Sequence, residues 1–248
     1  MDRTIEVAFR QEEVSDGDLA GRQVVLIDVL RVTSTLTTEL AAGAEEIRCY
    51  TTVREAFRAG KRWAHRAPLL CGERNGSKVR GFDLGNSPRD FSPEMVRGRM
   101  LIVTSTNGTR ALKRTGRAGR VLLGCFLNLS AVAKEVARRS EPVVMLCAGT
   151  RGERSEEDVA CAGGVATLLQ TKGWRPGDTA GEAIRSWHGF RRAPVTFLRG
   201  TLGAVDLIEL GLDRDIRDCA RRDGCDLVPA VTATGDGWLV TPVSRAAT

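Results

Sequence analysis

The sequence predicts an α/β protein, three-layer α/β/α with a mostly parallel or mixed sheet. Short apolar runs of buried-strand type alternate with helix-like segments. That alternation argues for helices packed on both faces of one sheet. No repeat, low-complexity stretch or linker interrupts it, so residues 1–248 read as a single domain. Polar motifs recur just after the strand-like runs, where open α/β sheets bind their ligands.

Taken in order, QVVLIDVL (23–30) is a continuous apolar run, and TSTLTTELAAG (33–43) reads as a capped helix ending at Gly43. EEIRCYTT (45–52) is a strand candidate and VREAFRAGKRWAH (53–65) a helix. APLLCGE (67–73) is short and apolar, ahead of a long glycine-rich polar stretch. RMLIVTST (99–106), RVLLGCFL (120–127) and PVVMLCAG (142–149) supply three more strands, with helices expected near 107–117, 128–140 and 156–172. Residues 178–223 read as mostly helical with no catalytic signal. The tail DLVPAVTATGDGWLVTPV offers two final strands around Gly235–Gly237.

One stretch is richer in polar groups than a turn requires. VTSTNGTRAL (103–112) sets Thr104, Ser105, Thr106, Asn107, Thr109 and Arg110 between a strand and a helix. Asp28–Arg31, Cys71–Gly76 and Cys147–Arg151 follow other strands in the same manner. Each supplies an acid, an arginine or a set of donors ahead of a helix N-terminus, which favours anions.

Composition narrows the function classes. The chain is 42% hydrophobic and 27% charged, an ordinary globular profile. No run approaches the roughly 18 apolar residues of a membrane span, and MDRTIEVAFRQEEV carries charges where a signal peptide needs an apolar core. A cytoplasmic protein without a membrane partner is expected. The seven cysteines form no C-x-x-C pair, and most sit in apolar runs, as small hydrophobes do. His65 and His188 have no ligand-spaced neighbours, so no zinc site is expected. A net charge of +6 and a pI near 9.2 favour an anionic partner. Dispersed arginines and 5% aromatic residues point to a small polyanion rather than nucleic acid, whose binding would fall steeply with salt.

The common phosphate motifs are absent. GERNGSK has the wrong spacing for a P-loop. Asp28-Val-Leu30 lacks the second aspartate of a dehalogenase-type phosphatase, and after five residues intervening from Cys147 comes Glu153 rather than the arginine of a Cys-x5-Arg loop. Histidine-phosphatase chemistry has no R-H-G nucleophile.

DVLRVTSTLTTELAAGAEEI, CGERNG, GFDLGNSP, TSTNGTRAL, FLNLSAVA and CAGT followed by EED occur in that order. Together they resemble the 2-phosphosulfolactate phosphatase family, from about residue 24 to the Val-Pro at 228–229. The resemblance implies a family-specific α/β/α fold, a homodimer and Mg2+-dependent hydrolysis of (R)-2-phospho-3-sulfolactate to 3-sulfolactate on the route to coenzyme M. Such a substrate carries a phosphate, a sulfonate and a carboxylate, which forked arginine donors suit. Phosphate monoesters hydrolyse so slowly that charge neutralisation and an activated water must act together, and Mg2+ on carboxylates supplies both.

Within these motifs, Asp28, Arg31, Glu73 and Arg110 are the catalytic candidates, and Asp28, Glu157 and Asp158 the Mg2+ ligands. Ser34, Thr35, Arg74, Asn86, Thr106, Asn107, Thr109, Asn128 and Arg151 are the substrate-binding candidates. Structural readings stand beside these. Thr33 or Ser34 can cap one helix and Thr106 or Asn107 the next; Glu157 and Asp158 can complement a helix dipole; Asp83 can order its loop. As a cap for a helix starting at Thr33, Asp28 stands too early in the sequence. Attack by a metal-activated water is favoured over a covalent aspartyl-phosphate because the dehalogenase second acid is missing. A phosphatase for another phosphorylated 2-hydroxy acid and a non-catalytic small-anion binder remain the other readings.

Overall fold

The computed structural model describes residues 3–15 and 17–243. In chain order the elements are β1 (Thr4–Ala8), β2 (Gln23–Ile27), α1 (Val32–Ala41), β3 (Glu46–Cys49), α2 (Val53–Arg62), β4 (Leu69–Arg74) and β5 (Ser77–Lys78). Then come α3 (Pro93–Val96), β6 (Met100–Thr104), α4 (Gly108–Arg114), β7 (Arg120–Gly124), α5 (Leu129–Val136), β8 (Val143–Cys147) and α6 (Glu156–Gln170). The chain continues through β9 (Arg175–Pro176), α7 (Asp178–Phe190), α8 (Pro194–Arg199), α9 (Leu202–Glu209) and α10 (Asp213–Cys219) to β10 (Pro229–Ala233) and β11 (Trp238–Pro242).

One mixed sheet takes the order β5-β4-β6-β3-β11-β10-β7-β2-β8-β1-β9. It consists of two parallel blocks, β4-β6-β3 and β7-β2-β8-β1-β9, spliced by the antiparallel β10–β11 hairpin. β2 lies between β7 and β8, parallel to both, and all five of its residues are buried. A strand covered on both faces reads as a continuous apolar run, which is why its sequence was so plain. Val25 and Ile27 point into a core with Phe126, Leu129 and Val132 of the α5 region and with α6 and α7. Val24 and Leu26 point the other way, against Val32, Leu36 and Leu40 of α1 and Ala111 and Leu112 of α4. β6 repeats the pattern, with Leu101 and Val103 toward α1 and α4. Its Met100 and Ile102 face Ala56 and Ala59 of α2. Helices therefore cover both faces, in three layers.

The local signals are chemically explicit. α2 opens on a capping box, in which Glu55 N–H donates to Thr52 Oγ1 at 3.1 Å and Thr52 N–H donates to Glu55 Oε2 at 2.9 Å. It ends on Lys61 and Arg62, the charge sign its C-terminus favours.

Two features differ from the sequence expectation. TIEVA at residues 4–8 forms β1, parallel to β8, although its charges had marked it only as unfit for a signal peptide. The final two strands form as expected on either side of Gly235–Gly237, but the hairpin sits inside the sheet between β7 and β3. Its three successive antiparallel pairings make the blocks run in opposite senses along the sheet. A twist of about 20–25° per strand accumulates over the five steps from β6 to β2. The residues that follow the carboxyl ends of both blocks nonetheless border one cleft. No helix of the described residues is long and apolar enough to cross a membrane.

Candidate active site

Four strand ends meet at one open cleft of about 1190 Å3. β2 contributes Asp28 and Arg31, β4 contributes Glu73 and Gly76, β6 contributes Thr106, Asn107 and Arg110, and β8 contributes Thr150 and Arg151. α9 closes the far side through Gly203, Asp206 and Leu207.

Asp28 is buried at the cleft floor. Its Oδ1 accepts the Val32 N–H at 3.1 Å, and its carbonyl accepts the Thr33 N–H at 2.9 Å. The helix begins at Val32, one residue earlier than expected, so Asp28 does satisfy the first turn of α1; the argument that it stands too early for this is corrected. Burial pushes the Asp28 carboxyl up to about 7, the Val32 N–H pulls it down, and Glu73 and Glu157 push it up further. Gly108 presses against this group: a Cβ there would lie 2.7 Å from Asp28 Oδ2 and 2.7 Å from Val32 Cβ.

Glu157 and Asp158, in the first turn of α6, lie behind Asp28 and are buried. Burial drives Glu157 up to about 7, and its Oε2 has no hydrogen-bond partner. Its Oε1 lies 2.4 Å from where a Cβ on Gly203 would stand, so the bare Gly203 backbone separates this carboxyl from the cleft. Asp158 Oδ1 accepts the Val29 N–H at 2.8 Å. Burial, then the charges of Glu157 and Asp28, hold Asp158 well above the usual carboxylate range.

Glu73 is occupied by the polar turn after β6. Its Oε1 accepts the Thr106 N–H at 2.6 Å, while Oε2 accepts the Gly76 N–H at 2.7 Å and the Thr106 hydroxyl at 2.9 Å. The Thr106 hydroxyl in turn accepts the Asn75 N–H at 3.1 Å. Arg31 is buried, donating to Asp215 Oδ2 at 2.9 Å and to the Gly76 carbonyl at 2.8 Å. Asn86 is buried at the cleft wall.

The rim is cationic. Arg110, Lys113 and Arg114 lie at i, i+3 and i+4 of α4, are exposed, line the cleft and make no side-chain hydrogen bond or ion pair among the described residues. Arg151, on the opposite side, pairs with Asp206 of α9.

Other candidates are placed elsewhere. Arg74 braces three points, the Glu73 and Thr51 carbonyls and the Thr104 hydroxyl, and borders a neighbouring groove shared with Arg110. Partial burial and the nearby Arg110 lower its pKa from the usual value. Ser34, Thr35, Thr109 and Asn128 have no exposed surface. Ser34 donates to the Val29 carbonyl, Thr35 to the Asn86 carbonyl and Thr109 to the Ser105 carbonyl. Asn128 bonds to the Leu123 and Leu227 carbonyls and accepts the Cys125 N–H. These four hold the chain around the cleft and do not line it. Asp83 accepts the Leu70 N–H at 2.8 Å, as its loop-ordering reading expects.

Sequence reasoning passed over Lys113 and Arg114, although their spacing from Arg110 on a helix marks them as neighbours. It also passed over Ser87 and Asp215, which no motif announces together.

Among the described residues, no three His, Cys, Asp or Glu side chains stand together as a ready-made metal site. Mg2+ seldom needs one, since it is usually held by one or two carboxylates, water and the substrate phosphate. The buried Asp28 at the floor, with buried Glu157 and Asp158 behind it, one with an orphaned oxygen, fits that mode. Chemically, the cleft pairs a near-neutral carboxyl, able to take a proton at physiological pH, with unpaired guanidinium and ammonium groups that bind oxyanions.

The family model described as 2-phosphosulpholactate phosphatase matches residues 8–234. A protein of Caldanaerobacter subterraneus subsp. tengcongensis named "Probable 2-phosphosulfolactate phosphatase" is 38% identical over 87% of this chain and 90% of its own. Proteins of the same name from Thermotoga petrophila, 37% identical over 85% of this chain and 89% of theirs, and Nostoc punctiforme, 33% identical over 92% and 95%, are similar throughout.

Proposed function

The chain belongs to the 2-phosphosulfolactate phosphatase family, and from that premise we propose that it is a phosphoric monoester hydrolase. Its substrate is (R)-2-phospho-3-sulfolactate, released as 3-sulfolactate and phosphate on the route to coenzyme M, and the enzyme works as a Mg2+-dependent cytoplasmic homodimer of single-domain chains. The observation that supports this reading is the opposition within one cleft of the buried Asp28 carboxyl, backed by the buried acids Glu157 and Asp158, to the unpaired cations Arg110, Lys113 and Arg114.

Of the three acids, Asp28 lines the cleft and would hold Mg2+ there, with Glu157 and Asp158 buried behind it and Asp158 aligned by the Val29 N–H. When bound, the ion supplies charge neutralisation of the phosphoryl oxygens. Arg110, with Lys113 and Arg114 one turn further along α4, binds the anionic groups of the substrate and sets the phosphorus over the floor. The water that attacks phosphorus loses one proton, which ends on the leaving ester oxygen, and keeps the other as a hydroxyl of the released phosphate. The bond from phosphorus to the ester oxygen breaks, and that oxygen leaves with its electron pair and gains a proton to become the hydroxyl of sulfolactate.

The open cleft of about 1190 Å3 would admit other phosphorylated 2-hydroxy acids as well, which is the second reading. Both are tested by phosphate release from 2-phosphosulfolactate, phospholactate and phosphoglycolate, with Mg2+ and with chelator. The proposal expects metal-dependent turnover preferring the sulfonate, lowered at least about tenfold in Arg110→Ala by loss of a charge-assisted contact. Turnover of the other esters alone would discard the substrate, and full activity in chelator would discard the metal.

A further inference from the structure

We infer that Asp215, on α10, is a positioning residue that fixes the direction in which Arg31 presents its donors to an oxyanion in the cleft. The inference rests on the hydrolase reading only for the identity of the substrate.

Arg31 and Asp215 are 4% and 1% exposed. Nη1 of Arg31 donates to Asp215 Oδ2 at 2.9 Å, and Nη2 donates to the Gly76 carbonyl at 2.8 Å. The other carboxylate oxygen, Oδ1, accepts the Ser87 hydroxyl at 2.7 Å. Asp215 is thereby fixed through one oxygen and fixes Arg31 through the other. Three elements distant in sequence join in this chain: the turn after β2, the loop holding Ser87, and α10.

A guanidinium has five N–H donors. Two are used, so three have no acceptor among the described residues, in a side chain that lines the cleft. A buried cation with unused donors is costly unless something accepts from them. Oxygens of a bound phosphate or sulfonate meet that need. Because Asp215 neutralises Arg31, the pair contributes little net charge, and its value to a ligand is directional. The rim cations of α4 supply the net charge instead.

This division gives a test in which the sign of the effect decides. Asp215→Asn removes a negative charge beside the cleft, so simple electrostatics would tighten anion binding. Positioning predicts the opposite. Binding of inorganic phosphate is measured by calorimetry for the wild type, Asp215→Asn, Arg31→Ala and the double variant, alongside phosphate release from 2-phosphosulfolactate. Asp215→Asn should weaken phosphate binding on the order of tenfold, the value of one charge-assisted contact. The double variant should be no weaker than Arg31→Ala alone, since Asp215 acts through Arg31. Tighter or unchanged binding in Asp215→Asn, additive losses in the double variant, or no phosphate binding by the wild type would each overturn the inference. If the charge variants fail to fold, Ser87→Ala loosens Asp215 without unpairing it and should weaken binding severalfold; unchanged affinity there overturns the inference as well. The full binding pattern without turnover of 2-phosphosulfolactate would support the positioning role and remove the substrate reading alone.

Discussion

Replacing Glu73 by glutamine tests what holds the turn that carries Arg110. The native carboxylate accepts three bonds, from Thr106 N–H at 2.6 Å, Gly76 N–H at 2.7 Å and the Thr106 hydroxyl at 2.9 Å. Glutamine offers one carbonyl oxygen and one NH2 group in the same volume. Turned either way, its NH2 faces the main-chain N–H of Thr106 or of Gly76, donor against donor. The Thr106 hydroxyl can rotate to accept, but the N–H cannot. A buried donor left unsatisfied costs about 1–3 kcal/mol, and bonds to a charged acceptor are stronger than those to an amide. A net loss of about 2–4 kcal/mol is therefore expected. At roughly 2–4 °C per kcal/mol for a chain of this size, the midpoint should fall by about 5–15 °C in a thermal melt. Thr106→Val removes the hydroxyl and leaves the carboxylate in place, so its smaller loss of stability should bring a proportionate loss of phosphate affinity. A Glu73→Gln protein that melts within 2 °C of wild type, by this estimate, yet has no activity would refute the argument and make Glu73 a chemical participant.

Two further outcomes follow from the cleft floor. Gly108→Ala places a Cβ 2.7 Å from Asp28 Oδ2 and from Val32 Cβ, and overpacking of this kind costs about 1–3 kcal/mol; urea unfolding should show the loss, together with a change in the pH dependence of activity, because the carboxyl must move. Asp28 and Glu157 are raised to about 7 in the folded protein, so between the ordinary carboxylate range and about 7 the native state holds protons that the unfolded chain has lost. Stability of the metal-free protein should be greater at pH 6 than at pH 8, falling as pH rises through about 7 by an amount on the order of a few kcal/mol; equal melting temperatures at the two pH values would exclude ionisation of these groups as the cause.

What the sequence made legible depends on how local the physics is. β2 was plain because burial on both faces writes an unbroken apolar run. The acids and arginines after β2, β4, β6 and β8 were legible as a set, because strand ends are where α/β sheets bind ligands. β1 was missed because its alternating residues acquire meaning only beside β8, more than a hundred positions away. The hairpin's place in the sheet is likewise fixed by pairings with β7 and β3. Ser34, Thr35 and Thr109 show a finer limit. A polar motif tells that hydrogen bonds will be made, but not whether the side chain turns to the cleft or to a neighbouring carbonyl. Asp215 gave no signal at all, since an aspartate on a charged helix acquires its role from a partner 184 residues earlier.

The charge arrangement leads to a last expectation about ligands. At and behind the floor, burial raises Asp28, Glu157 and Asp158, and neighbouring acids raise each of them further. At the rim, Arg110, Lys113 and Arg114 crowd like charges on two adjacent turns without acid partners. Each end therefore favours an occupant of opposite sign. A cation and an oxyanion in the same cleft also attract each other, and that attraction is strengthened by the low dielectric of a partly buried site. Binding of one should then raise the affinity for the other, by the same factor in both directions. Magnesium and inorganic phosphate added together should raise the melting temperature by more than the sum of their separate effects, and Asp28→Asn should remove the excess while leaving a shift from phosphate alone. Additive shifts in the wild-type protein would mean that the two ends of the cleft act as independent sites, and the single-cleft account of the chemistry would fail with them.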